Sequence, residues 1–117
     1  MTRTLDTHHD GHGLNESIII HADGPKEMTM LDSDGAGLVV ASIQFQQGPR
    51  NEAGAVAGIT EGALYAVLID RLKGFQAGPF ACRENAIQLT KLEECAMWAR
   101  ARADERAKRG VLGKSEK

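Results

Sequence analysis

Between Pro79 and Gly110 the chain runs without a glycine or proline, and this stretch constrains the fold more than any other feature. Pro79 suits the first turn of a helix, Glu84 lies near its positive end, Lys108 and Arg109 lie near its negative end, and Gly110 is placed to stop it. The spacing predicts a helix of roughly 28 residues, about 42 Å long at 1.5 Å per residue. That length exceeds the width of a domain built from 117 residues. At about 100° per residue, Ala81, Asn85, Leu89, Leu92, Ala96, Ala99 and Ala103 share one stripe, with Asn85 its polar exception. The small-residue end of the stripe, Ala96, Ala99 and Ala103, is expected to lie against another subunit.

A shorter helix precedes it. Thr60 can cap a body running Ala63-Leu64-Tyr65-Ala66-Val67-Leu68-Ile69, with Lys73 in its last turn and Gly74 as a left-handed stop. Such an apolar run could also form a buried strand, but the span from 60 to 73, the alanines and the cap signals favour helix. Being apolar all round, it is expected to be covered on more than one side.

Upstream, Ile18-Ile19-Ile20, Met28-Thr29-Met30-Leu31 and Leu38 to Phe45 are separated by Asp23-Gly24-Pro25 and by the Asp- and Gly-rich segment 32–37. Short apolar runs punctuated in this way read as an antiparallel meander. Residues 1–16, rich in His, Asp, Gly and Asn, carry no hydrophobic period and read as an unordered tail, with order beginning near Ser17. Gln47 to Gly58 reads as a loop. The expected fold is therefore α+β and a single domain overall: a tail over 1–16, a small N-terminal antiparallel β-sheet over 17–46, and a C-terminal helical-hairpin region over 47–113 that assembles with copies of itself.

Composition limits the function classes. Five aromatics, Phe45, Tyr65, Phe75, Phe80 and Trp98, leave the core to aliphatic residues. No apolar run approaches the roughly 20 residues of a spanning helix, and the polar start MTRTLDTHHDGHG has no signal-peptide pattern, so the expected location is the cytoplasm. Two cysteines, Cys82 and Cys95, do not make a disulfide scaffold; on one helix they stand roughly 20 Å apart. The net charge of −2 divides unevenly, with residues 1–79 acidic and residues 80–117 basic. A basic C-terminal half suits a small phosphorylated ligand, while the pI of 6.1 falls short of a general nucleic-acid binder.

The chemistry-bearing groups are few. The pentapeptide Phe-Gln-x-Gly-Pro occurs at 45–49 and at 75–79, followed closely by Arg50 and Arg83. It reads either as two turns sharing Gly-Pro chemistry or as two loops presenting Phe and Arg to a ligand. His8, His9, Asp10 and His12 form the one cluster with metal-ligand chemistry, set against a solvated polar tail as the plainer reading. Cys82 beside Arg83 has no histidine base in the folded part except His21, and no GxGxxG or Walker-type loop is present. Arg100, Arg102, Arg106, Lys108 and Arg109 form a basic helix end, for which a solvated face is the plainer reading. Of these, Arg102 and Arg106 share a face beside Ala99 and Ala103, where two guanidiniums could grip phosphate.

The run Phe75-Gln76-Ala77-Gly78-Pro79-Phe80-Ala81-Cys82-Arg83-Glu84-Asn85-Ala86, followed by Leu89-Thr90-Lys91-Leu92-Glu93-Glu94 and by Arg106-Ala107-Lys108-Arg109-Gly110-Val111-Leu112-Gly113, resembles a phage family. It is similar to the helical-hairpin domain shared by the anti-CBASS two and Thoeris anti-defence one proteins, over about residues 42–113. The β-rich segment before the hairpin brings it nearer the Thoeris branch. The resemblance implies a non-catalytic sponge, with no cofactor, that holds cyclic nucleotide messengers of bacterial defence uncut. These are cyclic ADP-ribose isomers and CBASS cyclic oligonucleotides, bound in separate pockets in the host cytoplasm. Carried over position by position, Phe75, Asn85, Arg102 and Arg106 would form the ADP-ribose-type pocket, and Arg50 and Arg83 the cyclic trinucleotide pocket. A further arginine implied for the N-terminal sheet has no counterpart among the basic residues read there, His21 and Lys26. The implied partners are small messengers and further copies of the chain, as a dimer or a hexamer built from dimers, with no long nucleic acid and no membrane. Two other readings stand beside this one: a metal-dependent phosphodiesterase using the His8-His9-Asp10-His12 cluster on the same messengers, and a helical interaction module that binds no small ligand.

Overall fold

The computed structural model describes residues 2–5, 17–21, 27–31, 39–48, 53–55 and 57–110. The chain packs as two compact units, residues 1–59 and residues 60–117.

The first unit is an antiparallel meander of β1 (Arg3–Leu5), β2 (Ser17–His21), β3 (Glu27–Leu31) and β4 (Val39–Gln44), in that spatial order. Ile18 lies opposite Leu5 and Met30, and Ile20 opposite Arg3 and Met28, so period-two alternation gathers the aliphatic residues on one face. Met28 continues that row to Ile43 and Met30 to Ala41, before a bulge shifts the register between Met30 and Leu31. Ile18 and Ile20 are its buried centre. Order begins earlier than the expected Ser17: β1 lies within residues 1–16, which read as an unordered tail. Arg-Thr-Leu holds one apolar residue and so has no period to detect; its place in the sheet comes from backbone pairing with β2.

The chain after β4 stays with this unit. Ile59 donates to Gln44 at 2.9 Å and accepts from Gln46 at 2.8 Å, making a parallel bridge between Phe45 and Ile59. The division between units therefore falls at 59/60, beyond the loop that the sequence analysis grouped with the helices. Gly58 is required at this close approach: a Cβ there would run into the carbonyl oxygen of Gln44 and the backbone of Phe45.

The second unit is a helical hairpin of α1 (Glu61–Gln76) and α2 (Arg83–Lys108). Thr60 caps α1 through its hydroxyl, which accepts from the amide of Ala63 at 3.3 Å. Gly74 does not stop the helix as expected. The amide of Ala77 still bonds the Lys73 carbonyl at 3.0 Å, and the helix ends at Gln76. Pro79 likewise lies in the turn and not in the first turn of α2, which starts at Arg83 after an extended Cys82. The Gln76 side chain fixes that start. Its amide donates to the Cys82 carbonyl at 3.1 Å and its oxygen accepts the Cys82 N–H at 3.0 Å, holding Cys82 out of the helix. Gly110, with φ of +75°, follows the end of α2 where the sequence places the stop.

Along α2 the residues least open to solvent include Asn85, Leu89, Leu92, Ala96, Ala99 and Ala103, the expected stripe without Ala81, which precedes the helix and is exposed. Part of this stripe packs within the chain. Ala99 faces Gly62 of the same chain, where an added Cβ would stand 4.0 Å from the Ala99 Cβ, so that part of the stripe seats α1. On α1, Leu72 is buried, whereas Val67 and Leu68 remain exposed; within the chain α1 is not covered on all sides. Among the described residues no helix is long and apolar enough to cross a membrane.

Candidate functional site

The hairpin holds a groove of about 590 Å³, a volume in the range of small-ligand sites. Helical spacing lines one wall with Leu68, Arg71, Leu72 and Phe75 of α1 and the other with Asn85, Ile87, Gln88, Lys91, Leu92 and Cys95 of α2. Leu68, Leu72, Ile87 and Leu92 make it largely apolar. The polar groups are two cations and two carboxamides, and no carboxylate is among them.

Phe75 closes α1 within a small aromatic assembly. The Arg71 guanidinium carbon stands 4.9 Å from its ring centroid, one helical turn back, and Phe80 meets it edge to face at 6.4 Å. Phe80 itself is 72% exposed. Asn85 is in the first turn of α2, and its side-chain oxygen accepts from the Gln88 amide at 3.3 Å. The Asn85 NH₂ group is thereby left as the donor.

Phe75 and Asn85, both named from the sequence, thus line one groove. Arg102 and Arg106 do not: seventeen residues separate Asn85 from Arg102, about 25 Å along an unbroken helix. Arg102 is exposed and has no ion-pair partner among the described residues. Arg106, at 9% exposure, is buried and engaged in an interaction of its own. The neighbouring cations are spent within the helix, Arg100 on Asp104 at 3.3 Å and Arg109 on Glu105. Arg83 is exposed at the start of α2, while Arg50 and the His8-His9-Asp10-His12 cluster lie outside the described residues. Among the described residues no group of three or more His, Cys, Asp or Glu could hold a metal. Cys82 and Cys95 are free and exposed.

The repeated pentapeptide resolves into a shared structural device. Gln46 donates to the Gly48 carbonyl at 2.9 Å and accepts from the Gly58 amide at 3.2 Å, as Gln76 does with Cys82. In both copies the glutamine side chain donates to one backbone carbonyl and accepts from one backbone amide. Arg3, exposed on β1, is a basic residue that the sequence reading did not place in the sheet.

Sequence reading missed Arg71, Gln88, Lys91 and Cys95. The usable signal was the spacing 68-71-72-75 on α1, which puts Arg71 on the face of Phe75.

The architecture is thus a two-helix hairpin following a small meander, with an apolar and cationic groove in the hairpin. The model of the Acb2/Tad1 hairpin domain matches residues 38–104. The chain belongs to the Acb2/Tad1 hairpin family, in its Tad1 branch: it is 46% identical over 92 residues to Thoeris anti-defense 1 of Bacillus phage SBSphiJ7. That alignment covers 79% of this chain and 62% of the relative, so the chain spans less than two thirds of that relative's length.

Proposed function

We propose that this is a phage anti-defence protein that binds a cyclic nucleotide immune messenger in the hairpin groove and holds it, uncut, in the host cytoplasm. The observation that carries the reading is the groove itself: Phe75 and Asn85 share it with Arg71 and Lys91, over an apolar floor and without a carboxylate. An aromatic ring suits a purine face, the Asn85 NH₂ a base or ribose acceptor, and the cations a phosphate. Family membership and the anti-defence name of the phage relative support the same reading.

Arg102 and Arg106 complete the ADP-ribose-type pocket from a second copy of the chain, since one straight helix keeps them about 25 Å from Asn85. Exposed Val67, Met97 and Trp98 give the hairpin apolar surface for such an assembly, a dimer or a hexamer built from dimers. Arg83, with Arg50, serves a separate pocket for cyclic trinucleotides.

A calorimetric panel over cyclic ADP-ribose isomers, cyclic dinucleotides and cyclic trinucleotides tests this. At least one class binds, and Arg83→Ala weakens trinucleotide binding by about 1.5–3 kcal/mol, the worth of a charged hydrogen bond, with little effect on the ADP-ribose class. Equal loss for both classes argues for one shared pocket. No binding to any member favours the ligand-free interaction module.

A further inference from the structure

We infer that Arg71 and Lys91 form a phosphate subsite within a single hairpin, so that one chain by itself grips both the base and the phosphate of a nucleotide. The inference rests on the groove being the messenger site and adds to it two residues that face each other's helices across the same cavity. Arg71 lies on α1 with Val67, Leu68, Gly74 and Phe75 at its three- and four-residue neighbours, so no carboxylate on its own helix is placed to neutralise it. Neither Arg71 nor Lys91 forms an ion pair with any described residue, unlike Arg100 and Arg109 on the same hairpin. Arg71 and Lys91, neither in an ion pair with a described residue although Glu94 stands three residues beyond Lys91, set two cations beside Leu72 and Leu92 and favour an anion in the groove.

The Arg71–Phe75 contact sharpens the class of anion. The Arg71 guanidinium carbon lies 4.9 Å from the Phe75 ring centroid, a cation–π contact, and a guanidinium so placed can still take phosphate through two of its N–H donors. The same pair therefore offers an aromatic surface and an oxyanion fork one helical turn apart. A ligand with a planar base and a phosphate a ribose away matches that spacing of functions; a simple inorganic anion uses only half of it. Lys91, one of the groups on the opposite wall, supplies a second point charge to the same phosphates.

The test uses the full chain with a cyclic ADP-ribose isomer titrated by calorimetry at low and high salt. Arg71→Met keeps an unbranched side chain over the Phe75 ring and removes the charge; Lys91→Met does the same for an exposed position. Each is expected to lower affinity about tenfold at low salt and to flatten the loss of affinity that the wild-type chain shows as salt rises. Wild-type affinity in Arg71→Met would overturn the inference, since Arg71 would then only prop the ring. Where the wild-type chain binds and Phe75→Ala does not, that overturning leaves the groove reading intact. Where the wild-type chain binds no isomer, the groove reading fails and this inference with it.

Discussion

Replacing Phe75 by alanine is expected to remove most of the affinity of the groove for a cyclic nucleotide while leaving the fold in place. Base–aromatic stacking is worth about 1–3 kcal/mol per base, which alone corresponds to between roughly fivefold and a hundredfold in affinity. The loss extends further, because Arg71 is seated on the same ring and loses its support when the ring goes. Stability is expected to change little: Phe75 is half-buried at the end of α1, and the buried contact of the hairpin is Leu72, one turn earlier. Leu72→Ala is the contrasting variant. It is expected to cost about 2–4 kcal/mol of stability, and to weaken binding both as the hairpin loosens and as the groove loses part of its apolar wall. Calorimetry paired with thermal melts separates the two. A Phe75→Ala chain that binds as tightly as wild type would show that no base stacks there.

The second large effect is a recovery. Asn85→Ala and Arg102→Ala are each expected to bind the ADP-ribose-type messenger weakly, and a mixture of the two is expected to bind it well. The reason is the continuity of α2, which runs from Arg83 to Lys108 without a break. A rigid helix cannot bring its first turn and its sixth to the same small ligand. Antiparallel pairing of two hairpins places the start of one α2 beside the end of the other, and each mixed dimer then contains one pocket with both residues intact. Arg102 is the better choice than Arg106 for this experiment, because Arg106 is buried and engaged, and its removal would disturb the chain itself. In the proposed assembly the contact between copies would draw on exposed side chains such as Met97 and Trp98, at 60% and 65% exposure. Mixed chains that bind no better than either parent, with subunit exchange demonstrated, would contradict a shared pocket.

Much of this architecture was legible in the residues because it depends on periodicity. The stripe from Asn85 to Ala103 is the packed face of α2, and the apolar runs punctuated by turn residues mark β2, β3 and β4. Helix ends were less legible where a side chain decides them. Gln76 reaches forward to Cys82 and moves the start of α2 past Pro79, a contact between residues six apart that no local propensity encodes. β1 was hidden for a similar reason, since its register is written in β2. At the site, Phe75 and Asn85 were found by resemblance, while Arg71 and Lys91 were passed over. A hydrophobic stripe identifies the face that packs; a groove is lined by its flank, where Gln88, Lys91 and Cys95 carry no periodic apolar signal.

The central claim is that the ligand is held and not consumed, and the most direct measurement is recovery of the ligand from its complex. The full chain is saturated with a messenger it binds, incubated with divalent transition metal, freed of unbound ligand and denatured, and the released nucleotide is quantified by chromatography and mass. The account expects all of the bound messenger to return intact. Release of a linearised or hydrolysed product, lost again when His8, His9 and His12 are replaced by alanine, would contradict it and establish the metal-dependent phosphodiesterase instead.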